Sequence, residues 1–285
     1  MTRRIGAYIL PADVVWLEKT LGRYYGLVDV IVVPVPVDGR GWTGAPIPVD
    51  AALAVIDRVD ERRIARRLEG RWTDEANPMR ADTAQRQAAL DALADEVDWV
   101  IQLDNDELLP DTAALLGAID EAERRGLDAV EWPMRVLYRR TTRRVWEVVG
   151  SRLEPRYDFP GAVAVRPKVR LTDARRVEGS FLRPVVRGDS SSLQLTRPAE
   201  DGEHRWISLP PEAAVIHNSW ARRPHEIRQK TRSWGHANGW RGTLYYFAVW
   251  LPVPLTWRWL RDVHPFARGL WPRLQPRPLS PPERD

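Results

Sequence analysis

The sequence predicts an α/β protein: a mostly parallel sheet flanked by helices, followed by a helical, Trp- and Arg-rich C-terminal extension. Three observations predict it. Short apolar runs alternate with stretches of helical periodicity through the first half of the 285 residues. The run Val28–Val37 (VDVIVVPVPV) is almost continuously β-branched, as in a strand covered on both faces. Glycine, proline and acidic residues punctuate the runs at their ends. An open sheet of this kind binds ligands beyond the carboxyl ends of its strands.

Arg4–Leu10 (RIGAYIL) reads as the first strand, ended by Pro11, and Ala12–Tyr25 as a helix closed at Gly26. Val28–Val37 follows as a buried strand and leads into a glycine-rich loop, Asp38–Gly44 (DGRGWTG). Val49–Val59 reads as a helix, and Ile64–Leu68 as a strand or a continuation of that helix. Thr83–Leu93 is a helix, Trp99–Leu103 a strand, and Thr112–Arg124 a helix capped by Gly126. Val130–Tyr138 and Ala162–Val165 are further strands. Pro224 begins and Gly239 ends a late helix, and the proline-rich stretch from Pro272 to Asp285 reads as a loose terminus.

Composition narrows the chemistry. Cysteine is absent, so disulfides, thiolate metal sites and cysteine nucleophiles are excluded. Any metal falls to carboxylates and imidazoles. Of 43 basic residues, all but Lys19, Lys168 and Lys230 are arginine, against 39 acids. Residues 203–285 carry 13 Lys+Arg and 6 Asp+Glu, together with all five histidines and eight of the 14 tryptophans. Two regions therefore emerge, a body over residues 1–220 and a basic extension over 221–285 packed on it. Arginine forks suit phosphate; arginine stems also simply solvate a surface. No apolar run reaches the ~20 residues of a spanning helix, and the first apolar run breaks at Pro11 and Asp13. The expectation is a cytoplasmic protein, soluble or peripheral at the inner membrane face.

The sharpest chemical feature is WVIQLDNDELL, Trp99–Leu109, in which an apolar strand delivers Asp104, Asn105, Asp106 and Glu107 to the ligand edge of the sheet. In an extended chain Asp104 and Asp106 point to the same side and repel unless a cation lies between them. A hard divalent ion, Mg²⁺ or Mn²⁺, is the natural occupant, and it takes substrate phosphate oxygens as well. A turn solvated by its own charges is the alternative.

The block from Arg86 to Glu107, RQxALxAL followed by DWVIQLDNDE, resembles the central signature of family 2 glycosyltransferases of the GT-A fold. The order before it is similar to that family too: a strand, Pro11, the WLxxTL helix at Trp16–Leu21, VDVIVV and an acidic glycine-rich loop. The similarity covers roughly residues 4–220, strongest at 83–107. It departs where the usual acidic residue after the first strand's proline is displaced to Asp13, and where the second loop reads DGRGWTG. The resemblance implies transfer of a sugar from a nucleotide-diphosphate donor to an acceptor hydroxyl, with Mg²⁺ or Mn²⁺ and inversion as the usual outcome. It places Asp106 on the metal, Asp104 on the ribose or the metal shell, Asp38 in the nucleoside pocket, and Arg86 in support.

Further along, Gly161–Arg166, Gly179-Ser180-Phe181 and Gly188-Asp189 resemble the family's later motifs, although a glycine replaces the glutamate of the usual Glu-Asp pair. That makes Asp189 the candidate general base, with Glu178 in reserve; an ordinary turn aspartate is the alternative. VIHNSW, Val215–Trp220, ends a strand-like run at His217, matching the late histidine that many GT-A enzymes give to the ion. Arg222, Arg223 and Lys230 are candidate contacts for the diphosphate or an acceptor anion. On the late helix, Ile227, Lys230 and Trp234 share a face. The Gly242–Phe266 stretch mixes aromatics, prolines and arginines. Its expected role is to pack on the body as an acceptor wall, while its composition also suits a membrane interface.

Three other readings stay open. A sugar-phosphate nucleotidyltransferase would carry a basic glycine-rich loop after the first strand, where this chain has PADVVW. An arginine-rich nucleic-acid-binding protein would need a recognisable motif, and no nucleic acid partner is expected without one. A catalytically degenerate nucleotide-sugar-binding protein would keep the carboxylates without the reaction.

Overall fold

The structure is a computed structural model that describes residues 3–233, 239–265 and 267–279. In chain order its strands are β1 (Ile5–Tyr8), β2 (Val30–Pro36), β3 (Ala65–Gly70), β4 (Trp99–Ile101), β5 (Glu107–Leu108), β6 (Ala129–Glu131), β7 (Met134–Arg140) and β8 (Arg144–Val149). They continue with β9 (Ala162–Val165), β10 (Arg170–Asp173), β11 (Arg176–Glu178), β12 (Phe181–Val186), β13 (Glu203–Leu209), β14 (Val215–His217) and β15 (Arg273–Pro278). The helices are α1 (Leu17–Tyr24), α2 (Val49–Val59), α3 (Pro78–Asp91), α4 (Thr112–Arg125), the short α5 (Leu193–Thr196), α6 (Pro224–Ser233), α7 (Gly239–Tyr245) and α8 (Val253–Thr256).

The described residues form an eight-stranded sheet in the order β13-β12-β6-β9-β4-β1-β2-β3, in which only β9 runs against its neighbours. Pleating sorts the side chains onto two faces. Ile5, Ala7, Trp99 and Ile101 join one core with residues of α1, α2 and α4. Tyr8 and Val100 join a second, under α3 and the β10–β11 hairpin. Helix ends follow local chemistry. Asn77 caps the Arg80 N–H ahead of Pro78, and Asp111 caps that of Ala114. Gly126 closes α4 at φ 68°, in the left-handed region.

A five-stranded sheet, β15-β8-β7-β14-β5, stands beside the first. Two of its strands continue strands of the main sheet: β5 follows β4 after a turn, and β7 follows β6 after Trp132-Pro133. Its core is aromatic, with Tyr138, Trp146, Trp220, Tyr246, Trp250 and Trp271 buried together.

Several expectations change. The expected single strand Val130–Tyr138 is two strands in two sheets, because Pro133 lacks the N–H that would continue the ladder. The first helix begins at Leu17 rather than Ala12: the Asp13 carboxylate accepts the Val15 N–H and holds a turn instead. The third helix begins five residues early, at Pro78, on its Asn-Pro start. Ile64–Leu68 resolves as strand β3. The terminus expected to be loose is β15 as far as Pro278, paired along its length with β8. The C-terminal extension is therefore only partly helical.

Candidate functional site

β2, β1 and β4 are parallel neighbours, so the loops that leave them, residues 9–16, 37–48 and 102–106, share one edge of the sheet. The chain runs from β1 to β2 and β3 on one side and to β4 on the other, which opens a crevice at that edge.

The acidic block turns sharply there. The Glu107 N–H donates to the Asp104 carbonyl at 3.0 Å, and the Asp104 N–H donates to Glu107 Oε2 at 2.9 Å. The premise of an extended chain with two carboxylates on one side is thereby corrected, since a turn sends each acid toward its own arginine. Asp104 Oδ1 accepts from Arg86 Nη2 at 2.9 Å, and Asp106 Oδ2 from Arg222 Nη2 at 2.6 Å. Glu107 takes both arms of Arg175, at 2.5 and 2.6 Å. Arg222 also pairs with Asp13. The repulsion expected among the acids is relieved by guanidinium groups from three distant parts of the chain.

Each arginine is fixed in turn. Arg86 donates to Asp82 at 2.6 Å, one helical turn earlier on α3. Arg222 Nε donates to the Ser219 carbonyl at 3.1 Å. Arg175 sits in the β10–β11 turn and donates to the Gln102 carbonyl at 3.0 Å. Its backbone packs so closely on Gly161, at φ 140°, that a Cβ there would lie 3.2 Å from the Arg175 carbonyl carbon. Glycine is required at 161 for both reasons.

Burial and charge compete in this cluster. Burial pushes the Asp104 carboxyl upward, but Arg86 and Arg175 outweigh it and hold the group below its ordinary value. Burial would lower Arg222, and Asp106 with Asp13 more than reverses that. Tyr8, whose hydroxyl donates to Gln102 at 2.9 Å, is pushed by burial to about 12 and is a neutral hydrogen-bonding group at physiological pH.

His217 lies opposite Glu107 in the β14–β5 ladder, which brings its Nε2 within 3.6 Å of Asp106 Oδ1. Among the described residues no group of three or more His, Asp or Glu side chains converges as a metal cage. Two hard or borderline donors, a carboxylate oxygen and an imidazole nitrogen, do suit Mg²⁺ or Mn²⁺ when phosphate oxygens and water complete the shell. Asp106, already paired with Arg222, and His217 are the two such donors that stand together here; the cation facing Asp104 is Arg86.

A cavity of about 280 Å³ opens beside this cluster. Pro11, Trp42, Ile47 and Pro48 give it apolar walls, and Asp13, Gln85, Arg222 and Glu226 give it polar groups. Trp42 is held by an Nε1–H bond of 2.7 Å to Gln85, which itself donates to the Pro34 carbonyl. Asn105 fixes the loop after β1 that lines the cavity, donating to the carbonyls of Leu10 and Asp13 at 2.9 and 2.8 Å. Asp38 stands in the loop after β2, but its carboxylate accepts the Arg40 N–H at 3.1 Å and faces Arg71 at 3.6 Å. The cavity wall from that loop is built by Gly41–Thr43 and Ala45–Pro48 instead.

Asp189 accepts from the Ser191 and Ser192 N–H groups at 3.2 Å and from Ser192 Oγ at 2.5 Å, all within its own turn. Ser192 Oγ in turn accepts the Tyr157 N–H at 2.9 Å, so the turn is pinned to residues 155–157. Glu178 is exposed at the end of β11. Arg223 is exposed where α6 begins, and its N–H is capped by Glu226 at 2.8 Å. The Lys230 side chain and Trp234 lie outside the described residues.

Sequence reasoning joined Asp104, Asp106, Arg86 and His217, and the fold brings these together. It missed Asp13, Gln85, Trp42 and Arg175 as parts of the same construction. Only Asp13 carried a signal, as the acid displaced from its usual place. No family model matches the chain, and no curated relative matches it. Among solved structures, 4-diphosphocytidyl-2C-methyl-D-erythritol synthase of Anaerococcus prevotii DSM 20548 is similar at 15% identity and a TM-score of 0.36, over 64% of this chain and 89% of that one. An overlap so loose carries no argument about the chemistry.

Proposed function

We propose that the protein is a glycosyltransferase that moves a sugar from a nucleotide-diphosphate-sugar donor to an acceptor hydroxyl with Mg²⁺ or Mn²⁺, inverting the anomeric centre. The observation that carries this reading is the cavity of about 280 Å³ placed directly against the Asp13–Arg222–Asp106 bridge at the carboxyl edge of the sheet. An apolar slot with a few convergent polar groups suits a nucleoside, and a buried arginine at its floor suits the phosphates attached to it.

In this reading Trp42, Pro11 and Ile47 enclose the base, and Asp104, oriented by Arg86, faces the ribose. Asp38, turned onto the Arg40 N–H and Arg71, holds the shape of the loop whose later residues wall the slot. Asp106 and His217 would hold the ion, which when bound neutralises charge on the diphosphate leaving group. Arg222 adds a fixed positive charge on the same side. Asp189 serves as the base that takes the acceptor's proton, and it must first leave the hydrogen bonds it accepts from Ser191 and Ser192. The acceptor is a hydroxyl on a glycan, a lipid-linked sugar or a small molecule.

Isothermal titration with UDP, GDP and dTDP, each with and without Mn²⁺, tests the reading. Binding of one nucleotide that strengthens with Mn²⁺ is expected, and Asp106→Ala should remove the Mn²⁺ dependence. Metal-independent or absent binding of all three overturns the proposal.

A further inference from the structure

From Gly239 to Thr256 the chain is a broken rod made of α7, a wider π turn at Tyr246–Trp250, and α8. Its inner face delivers Tyr246, Trp250 and Val253 to the aromatic core. Its outer face carries Leu244, Phe247, Leu251 and Leu255, and the row ends on Trp259 just beyond α8. These residues follow one another at spacings of three or four, the repeat of one helical face. They are 56%, 51%, 38%, 80% and 75% exposed. Single exposed apolar residues are ordinary on any protein, but five large ones recurring along one short stretch of chain mark a surface made to be covered.

Charge says by what. Residues 239–279 contain six arginines and one acid, Asp262. That acid accepts the Gly269 N–H at 2.6 Å. Arg258, next to Trp259 and stacked 5.3 Å over the Trp257 ring, is exposed, as are Arg261 and Arg268. Arg261 is anchored on the carbonyls of Arg258 and Leu260 at 2.8 and 2.7 Å, which places its positive charge at the end of the row. A second copy docking on this face by a twofold axis would set arginine against arginine. Among the described residues no helix is long and apolar enough to cross a membrane.

We propose that this outer face docks the protein on an anionic lipid surface. Leu251, Leu255 and Trp259 enter the headgroup boundary, and Arg258, Arg261 and Arg268 meet lipid phosphates. Tryptophan and arginine are the side chains best suited to that layer: the indole is amphipathic, and the guanidinium fork matches a phosphate.

Co-sedimentation of the full chain with vesicles tests this, using phosphatidylcholine alone and phosphatidylcholine containing phosphatidylglycerol. Binding should favour the anionic vesicles and weaken as salt is raised. Arg258→Glu/Arg261→Glu should lower affinity for them by roughly 30-fold, at about fivefold for each arginine near the surface. Leu255→Glu/Trp259→Glu should lower it by roughly tenfold or more, because it removes the inserted apolar area. Far-UV circular dichroism of both variants should match the parent, since all four side chains point outward. Equal binding to both vesicle types, no binding to either, or undiminished binding by Leu255→Glu/Trp259→Glu overturns the proposal. So does a concentration-dependent dimer that the same variant abolishes.

Discussion

Two regions of this molecule close on opposite chemistry. Around the turn after β4, Asp104, Asp106 and Glu107 each meet an arginine, and Glu107 and Arg175 are almost wholly buried, at 0% and 3% side-chain exposure. In the smaller sheet the interior is rings: Tyr138 stacks on Trp220, and Trp271 meets both edge-on. Trp250 is fully buried, with its Nε1–H shared between the carbonyls of Tyr138 and Trp220. Paired charge is costly to desolvate and gives geometry in return, with dipoles and charges fixed before any ligand arrives. Packed rings give stability without direction. The first arrangement suits a place where phosphate chemistry is to be done, the second a platform that holds a surface in place.

The largest effect should come from splitting the buried pair. Arg175→Met leaves buried Glu107 without its arginine, and should cost about 3–5 kcal/mol in urea unfolding. Adding Glu107→Leu should recover most of it, because the two apolar side chains then satisfy each other. If the single variant is as stable as the parent, the two interiors do not differ as argued.

Trp250→Ala should cost a similar or slightly smaller amount, about 3–5 kcal/mol, by opening a cavity in the aromatic core. Unlike the first loss, it should be nearly indifferent to salt and should have no partner substitution that restores it. A loss that shrinks markedly in high salt would count against an apolar interior.

The smallest effect is a gain. Burial raises the Asp82 carboxyl above its ordinary value, although Arg86 pulls it back in part. A carboxyl raised on folding contributes stability that is fully present below the unfolded pKa of about 4 and is lost as pH rises through the folded value. Asp82→Asn keeps an acceptor for Arg86 Nε and removes that loss. Its melting midpoint should exceed the parent's at pH 7 and converge with it near pH 4. A midpoint below the parent's at pH 7 would show that Asp82 is needed as a charge.

Much of the main sheet was legible because its cause is local. Val30–Val33 are β-branched, Asp111 precedes a helix start, and Gly126 is a helix stop. Each acts within a few residues of itself. The boundary at Trp132-Pro133 was hidden because the apolar pattern continues across it while the hydrogen-bonding partner changes. β15 was hidden because proline-rich sequence reads as coil unless an edge, here β8, is waiting for it. The same division runs through the site. Asp104, Asp106 and Arg86 stand within one helix–strand unit and could be read together.

The sequence alone determined that acids would end a central strand and that no thiolate could serve them, and it called for a divalent ion between Asp104 and Asp106. Only the tertiary structure decided which arginine meets which acid. Arg175 reaches Glu107 across 68 residues of chain, and Arg222 reaches Asp106 across 116. Ion pairing depends on a few ångströms of separation in space and carries no periodicity along the chain. It leaves no pattern to read until the strands have set the distances.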